Sequence, residues 1–397
     1  MKEILLIVID GLGDRPISKL GNKTPLEAAK TPSLDQLARK GACGLVLPFQ
    51  FPQQEKPESD TCHLALFGYD PKVYYLGRGP YEVAGIGVTL QRRDVALRAN
   101  FGTVDKNLKV VDRRAGRISK TQPLVDALAK IKKIGGVRFI IKKSYGHRAG
   151  LILRSKNLSA KISDGDPHRV GAKVERILPL DKSPQAKFTA NVLNKYLEMA
   201  HQVLIKTNSP ANYLLVRGAG QMKATPSLKQ KYKLKAACIA GGGLYKGIAK
   251  ILGMKEIKVK GATGLPNTNL RAKFLAVKKS LNKYNFVFLH IKATDSLAED
   301  GDFVGKKEFI EKIDKNLKSL LNLKNTLIVV TADHSTCCDL KRHCTEPIPI
   351  LIYGLQPPTT QQGRVQKFSE KACQKGKLGK FPQLELMPKI LKYAKKG

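Results

Sequence analysis

EILLIVIDG, Glu3 to Gly11, decides the fold: seven residues dominated by Ile, Leu and Val stop at an aspartate and a glycine. An apolar run of that length, bounded by a polar turn, has the pattern of a strand buried on both faces of a parallel sheet. The same pattern recurs in NFVFLHI (Asn285 to Ile291), which leads to Asp295; in NTLIVVT (Asn325 to Thr331), which leads to Asp333 and His334; and in IPILIY (Ile348 to Tyr353), which ends at Gly354. Between them lie helical periods. Pro32 opens PSLDQLARK and Gly41 closes it, a proline-first, glycine-last helix. KKEFIEKIDKNLKSLLN sets Phe309, Ile310, Ile313, Leu317, Leu320 and Leu321 on one face, an amphipathic stripe. Strands alternating with helices predict an α/β core with a largely parallel sheet flanked by helices.

The middle of the chain breaks this rhythm. VDALAKIKKIGGVRFIIKKSYGHRAGLILRS reads as helix, turn, strand, turn, strand, and ISDGDPHRVGAKVERILPLDKSPQ reads mostly as loop. A smaller α+β domain is therefore expected as an insertion at 111–185, with 1–110 and 186–397 forming the core. A helix from Ala190 to Ile205 should lead back to the alternating pattern.

The 397 residues carry 71 Lys+Arg against 32 Asp+Glu, a formal net charge of +39. Such a balance suits an anionic partner, nucleic acid included. The lysines are dispersed, however, with only short dense runs at KQKYKLK (Lys229 to Lys235) and at the terminal KYAKKG. With 6% aromatics and no tryptophan, stacking platforms for single-stranded nucleic acid are sparse, and specific nucleic-acid binding is not expected. No apolar run reaches the length of a membrane span or has the form of a secretory signal, so a cytoplasmic protein is expected. Seven cysteines without a secretory signal predict reduced thiols. Cys337, Cys338 and Cys344 crowd around His334 and His343 and admit a zinc reading, though no CxxC pair supports it.

The chemistry gathers at strand ends. Asp10, Asp295 and Asp333 follow three of the strands, and ligands of open α/β sheets bind outside the carboxyl ends of strands. One aspartate there is ordinary turn chemistry. Three, joined by His334 and by His343, form an oxygen and imidazole set suited to divalent metal, two ions included. Ser59, between Glu58 and Asp60 at the start of an apolar segment, is either a helix N-cap or a nucleophile activated by metal contact. GGGLYKGIAK lacks the Gly-Lys-Ser/Thr ending of a P-loop and no GxGxxG follows the first strand. It reads as a tight strand-to-helix turn, and no nucleotide cofactor is expected.

The strings IVIDGLGDRP, TPLEAAKTPSLDQLARKGACG, ESDTCHLALFGYDP, GRGPYEVAGIGV, DVALRANFGTVD, VDRRAGRI, GHRAGLILR, SDGDPHRVG, RGAGQM, IKATD and TADHST, in that order, resemble the archaeal-type cofactor-independent phosphoglycerate mutases of the alkaline phosphatase superfamily over nearly the whole chain. The resemblance implies an alkaline-phosphatase-like core. It also implies interconversion of 3-phosphoglycerate and 2-phosphoglycerate in glycolysis and gluconeogenesis, independent of 2,3-bisphosphoglycerate, through a phosphoserine at Ser59. One metal would be held by Asp10, Ser59, Asp333 and His334, and the other by Asp295, Glu299 and His343, manganese being favoured and magnesium, cobalt or zinc admitted. Glu299 stands where the family usually has histidine; Cys337, where it tends to have proline, and Cys344 are further departures. Arg113, Arg114, Arg117, His147, Arg148 and His168, in or beside the insertion, would bind the phosphate and carboxylate of the substrate, since a guanidinium holds both bidentately. Any one of these arginines alone reads as a solvated side chain. Rival readings on the same scaffold are a homoserine-kinase-like enzyme or a phosphomonoesterase, and, in another class, a basic nucleic-acid-binding homologue without catalysis. A homo-oligomer is compatible with all of them.

Overall fold

The computed structural model describes residues 2–354 and 365–395, so the last two residues of the terminal KYAKKG run lie outside the described residues. The chain divides into two compact units, one formed by residues up to Tyr75 and from Pro226 on, the other by Leu76–Thr225.

In the first unit, Glu3–Ile9 lies in the middle of an eight-stranded sheet, with Phe286–Ile291 on one side and Thr326–Thr331 on the other, both parallel to it. Ala236–Ile239 and Lys255–Glu256 extend the parallel set beyond Phe286–Ile291. Ile4 to Ile9 are each 1% exposed or less. Burying each such aliphatic side chain is worth about 1.5–3 kcal/mol, which is why the run carries no polar residue until it emerges at Asp10. Register pairs Val8 with both His290 and Thr331, so the three strands end level and release Asp10, Lys292 and Asp333 at one edge.

The strand Ile348–Tyr353 sits inside the sheet as expected but runs antiparallel to both neighbours, Thr326–Thr331 and Ala42–Leu47. It follows the short hairpin Ser335–Cys337/Arg342–Cys344 instead of a crossover helix. Without a crossover the chain reverses, and the pairing is antiparallel. Pro32–Lys40 forms with proline first and Gly41 after it. Phe303–Leu317, capped by the Asp302 carboxylate accepting from Gly305 N, buries Phe309, Ile310, Ile313 and Leu317.

The second unit is wider than the expected 111–185. Its antiparallel sheet is built on the ten-residue strand Val95–Val104, which pairs with Arg148–Arg154 on one side and Tyr213–Gln221 on the other. Val137–Lys143 continues the sheet beyond Arg148–Arg154. The partners of Val95–Val104 lie as far along the chain as Gln221, which pairs with Val95, and local periodicity says nothing about which strands will meet. Helix Pro184–Leu204 covers this sheet: Leu193, Tyr196 and Leu197 join Leu97, Phe139 and Leu151 in one core, with the Phe139 and Tyr196 rings stacked at 4.3 Å. The helix begins six residues before the expected Ala190, because the Ser183 hydroxyl accepts from Ala186 N and Pro184 occupies the first turn.

Candidate metal centre and arginine cluster

Ser59 is the first residue of helix Ser59–Leu66 and caps nothing; Glu58 holds the N-cap position. Its Oγ lies instead 3.0 Å from His334 Nε2. His334 Nε2 is also 3.2 Å from Asp333 Oδ2 and 3.7 Å from Asp10 Oδ1. Asp10, Asp333 and His334 are fully buried and offer ligand atoms within 4.8 Å of one another.

The turn that carries Asp10 depends on glycine. Gly11 has φ +64°, and a Cβ there would stand 2.4 Å from Thr336 Oγ1 and 3.0 Å from Asp295 Cα. Only glycine takes this conformation without strain and leaves that space.

Asp10 Oδ1 and Asp333 Oδ2 are buried oxygens without a hydrogen-bond partner. Bare carboxylate oxygens in a buried site are costly unless a cation completes them, so these residues fit a divalent metal. The electrostatics agree. Burial, then repulsion from Asp10 and Asp295, pushes Asp333 well above the usual carboxylate range. Burial opposes ionisation of Asp10 too, yet Lys292 foremost, with His290 and His334, holds it well below that range. Burial and the neighbouring His343 keep His334 neutral, the state in which an imidazole ligates.

A second group adjoins the first. Asp295 lies in the first turn of helix Ala293–Glu299, and Asp295, His334 and His343 also present ligand atoms within 4.8 Å of one another. His343 Nδ1 is 2.8 Å from Pro57 O; donating there leaves Nε2 as the free ligand nitrogen. That nitrogen is 3.5 Å from Asp295 Oδ1 and 3.9 Å from Glu299 Oε1. The helix puts Glu299 on the face of Asp295, as an i, i+4 pair requires. The glutamate stands at the rim, its side chain 47% exposed.

The cysteine expectations are corrected here. Cys337 and Cys344 form a disulfide across the hairpin, and the other five cysteines are free and buried. With two of its three thiols joined to each other, the zinc reading lapses; His334 and His343 stack at 3.7 Å and face Asp295.

Several side chains of this centre were not anticipated. Lys292 Nζ donates to Asp295 Oδ2 at 2.7 Å and reaches Asp10 Oδ2 at 3.4 Å, a cation spanning two of the acids. Tyr245, in the helix after the triple glycine, donates its hydroxyl to Asp10 Oδ2. His290 packs its ring on Tyr245 at 3.5 Å, with Nε2 3.2 Å from the same oxygen. One signal was legible: His290 is the polar residue inside an otherwise apolar strand.

In the second unit, Arg113 is bound bidentately by buried Asp166, Nε to Oδ1 at 3.0 Å and Nη2 to Oδ2 at 2.6 Å. His168 Nδ1 lies 3.5 Å from Arg113 Nη2 and 3.2 Å from Arg217 Nη1. Arg114 and Arg117 are exposed on a loop tied by Asp112, which accepts from Arg114 N and Gly116 N. Burial, then Arg148 and Arg98, pushes His147 down to about 4. The structure adds Arg78, Arg98 and Arg217 to the expected set. Arg98 and Arg78 both reach Glu82, at 3.2 and 3.3 Å, while the buried Nε atoms of Arg148 and Arg217 have no hydrogen-bond partner. Guanidiniums in excess of carboxylates, with donors unspent, have the chemistry suited to an anion.

A buried two-part cation centre at the ends of parallel strands defines the class: the chain belongs to the metalloenzyme superfamily, whose pattern matches residues 2–393. It is 44% identical to a 2,3-bisphosphoglycerate-independent phosphoglycerate mutase of Methanococcus aeolicus, covering 98% of this chain and 97% of the relative, and 44% identical to one of Archaeoglobus fulgidus, covering 97% and 96%. Within the superfamily the chain thus belongs to the family of 2,3-bisphosphoglycerate-independent phosphoglycerate mutases. Among solved structures, the cofactor-independent phosphoglycerate mutase of Thermoplasma acidophilum superposes with TM-score 0.71 at 37% identity, covering 99% of this chain and 100% of that one. A Pyrococcus horikoshii protein gives 0.83 at 32%, covering 100% and 98%.

Proposed function

We propose that the chain interconverts 3-phosphoglycerate and 2-phosphoglycerate through a phosphoserine at Ser59, with two divalent ions. The observation that carries this reading is the Ser59 hydroxyl 3.0 Å from His334, beside two buried carboxylate oxygens that lack partners. Asp10, Ser59, Asp333 and His334 would hold one ion, and Asp295, Glu299 and His343 the other. Bound there, divalent ions supply the Lewis acidity that lowers the pKa of a hydroxyl and neutralises a phosphoryl oxygen.

Ser59 sits at a helix N-terminus, where backbone N–H groups favour an arriving phosphate. As the Ser59 Oγ–P bond forms, the bond from phosphorus to one glycerate oxygen breaks, and in net balance the serine proton ends on that oxygen. The other glycerate hydroxyl then attacks phosphorus, the Oγ–P bond breaks and Ser59 recovers its proton. Lys292, held as a cation by Asp10 and Asp295, keeps the two acids apart from each other's charge. The arginine cluster has the chemistry to retain a dianionic phosphate and a carboxylate while glycerate turns.

Glu299 adds a hard oxygen in place of imidazole, which favours manganese or magnesium over softer preferences. Among the described residues no helix is long and apolar enough to cross a membrane, and a cytoplasmic place in glycolysis and gluconeogenesis follows from the proposed substrate. The test is metal-stripped protein, restored with single divalent ions, assayed by coupling 2-phosphoglycerate to its dehydration, and quenched for peptide mass spectrometry. Manganese-restored turnover and phosphate on the Ser59 peptide are expected, with both lost in Ser59→Ala. Turnover retained by Ser59→Ala would falsify the phosphoserine route.

A further inference from the structure

The hairpin that carries His343 is only three residues long on each side, Ser335–Cys337 and Arg342–Cys344. A two-stranded piece this short has little stability of its own. Thr336 and His343 are register partners across it, and both side chains turn to one carboxylate. Thr336 Oγ1 donates to Asp295 Oδ1 at 2.7 Å, and His343 Nε2 stands 3.5 Å from the same oxygen. Cys337 and Cys344 follow these two residues directly and are joined to each other.

We propose that the Cys337–Cys344 disulfide is a positioning crosslink for the second cation site, holding Thr336 and His343 in register on Asp295. The inference rests on the reading of Asp295 and His343 as ligands. The first ligand set needs no such device: Asp10, Asp333 and His334 are fully buried at the ends of central strands. The second relies on the hairpin and on a half-exposed Glu299, so its preorganisation depends on the staple. Partners that orient metal ligands typically set affinity by 10–100-fold.

The closing experiment begins with alkylation of the unfolded chain. Five of seven cysteines should react without reductant, and seven reactive thiols would overturn the proposal. Manganese binding is then followed by electron paramagnetic resonance and metal counting. In C337S/C344S the second ion should bind roughly 10–100-fold more weakly, with the first unchanged. The first ion is also the check on folding. Wild-type protein reduced by a phosphine, then desalted, repeats the comparison without substitution: the phosphine gives two electrons and takes oxygen from water, whose two protons end on the thiols. Equal affinity for both ions in these forms overturns the crosslink's role. H343A separates the two readings: if it still binds two ions as wild type does, the ligand assignment fails and the inference with it. Loss of the second ion in H343A but not in C337S/C344S sinks the disulfide's role alone.

Discussion

Replacing Lys306 by methionine tests whether the Asp10 loop and the His343 hairpin are locked to each other. Lys306 is fully buried, and its Nζ donates to Asp14 Oδ2 at 2.8 Å, to Thr336 O at 2.8 Å and to Gly13 O at 3.1 Å. One ammonium thus ties the loop after Asp10 to the strand before the disulfide. Removing one partner of a buried pair costs about 3–5 kcal/mol. Gly13 O keeps the Thr336 N–H, and Asp14 Oδ1 keeps Arg15 N and Cys338 N, which pulls toward the low end. Thr336 O loses this donor, adding about 1–3 kcal/mol if it stays dry. The net expectation for Lys306→Met is a loss of about 4 kcal/mol. With no tryptophan in the chain, urea unfolding is followed by circular dichroism, and hydrogen exchange at the Thr336 and Cys338 amides localises the effect. Lys306→Met/Asp14→Asn leaves no lone carboxylate and keeps a side-chain oxygen for Arg15 N and Cys338 N, so it should recover at least half of the loss. A single-mutant effect below about 1 kcal/mol, or a double mutant as damaged as the two singles summed, refutes the reasoning.

Arg148→Lys keeps the charge but loses the fork whose buried Nε is unspent; kcat/KM should fall by roughly 10–150-fold, the equivalent of about 1.5–3 kcal/mol, and unchanged kinetics return Arg148 to a structural role. Glu299→His should move metal preference from manganese toward zinc while both proteins bind two ions; one ion and no turnover in wild type, with two ions and turnover in the variant, is the contrary result. In metal-free protein, proton NMR should show His290, His147 and His63, the buried imidazole whose Nδ1 lies 2.7 Å from Ser59 O, neutral and not titrating between pH 5.5 and 8, because burial foremost lowers them to about 4, 4 and 3. A depressed imidazole pKa favours the folded state above the unfolded value of about 6.5, a contribution lost as pH falls toward 4; a midpoint near 6.5 for any of the three contradicts its burial.

The parts of the fold legible in the sequence are those set by local pattern. Glu3–Ile9 is continuous aliphatic because both faces are covered, and Pro32 with Gly41 marks a helix by backbone chemistry alone. The width of the second unit was not legible. Val95–Val104 and Tyr213–Gln221 carry no mark that sends them to one sheet, and the Tyr213 strand resembles the core strands that follow it. The antiparallel Ile348–Tyr353 was hidden for a related reason: a buried strand reads alike in either direction.

At the site, the ligands were legible as residue types at strand ends, and their supports were not. Tyr245 and Lys306 meet the centre only through tertiary packing. Net charge was the least informative quantity of all. A chain of formal charge +39 gathers Asp10, Asp295 and Asp333 around one lysine, Lys292, which favours cations there. Elsewhere it sets Arg78, Arg98 and Arg148 around one glutamate, Glu82, which favours anions. Both arrangements are small against the total, and each fixes the local potential because burial weakens solvent screening. What a metal ion or a phosphate meets is therefore decided by side chains a few ångströms away, and the many dispersed lysines leave that decision untouched.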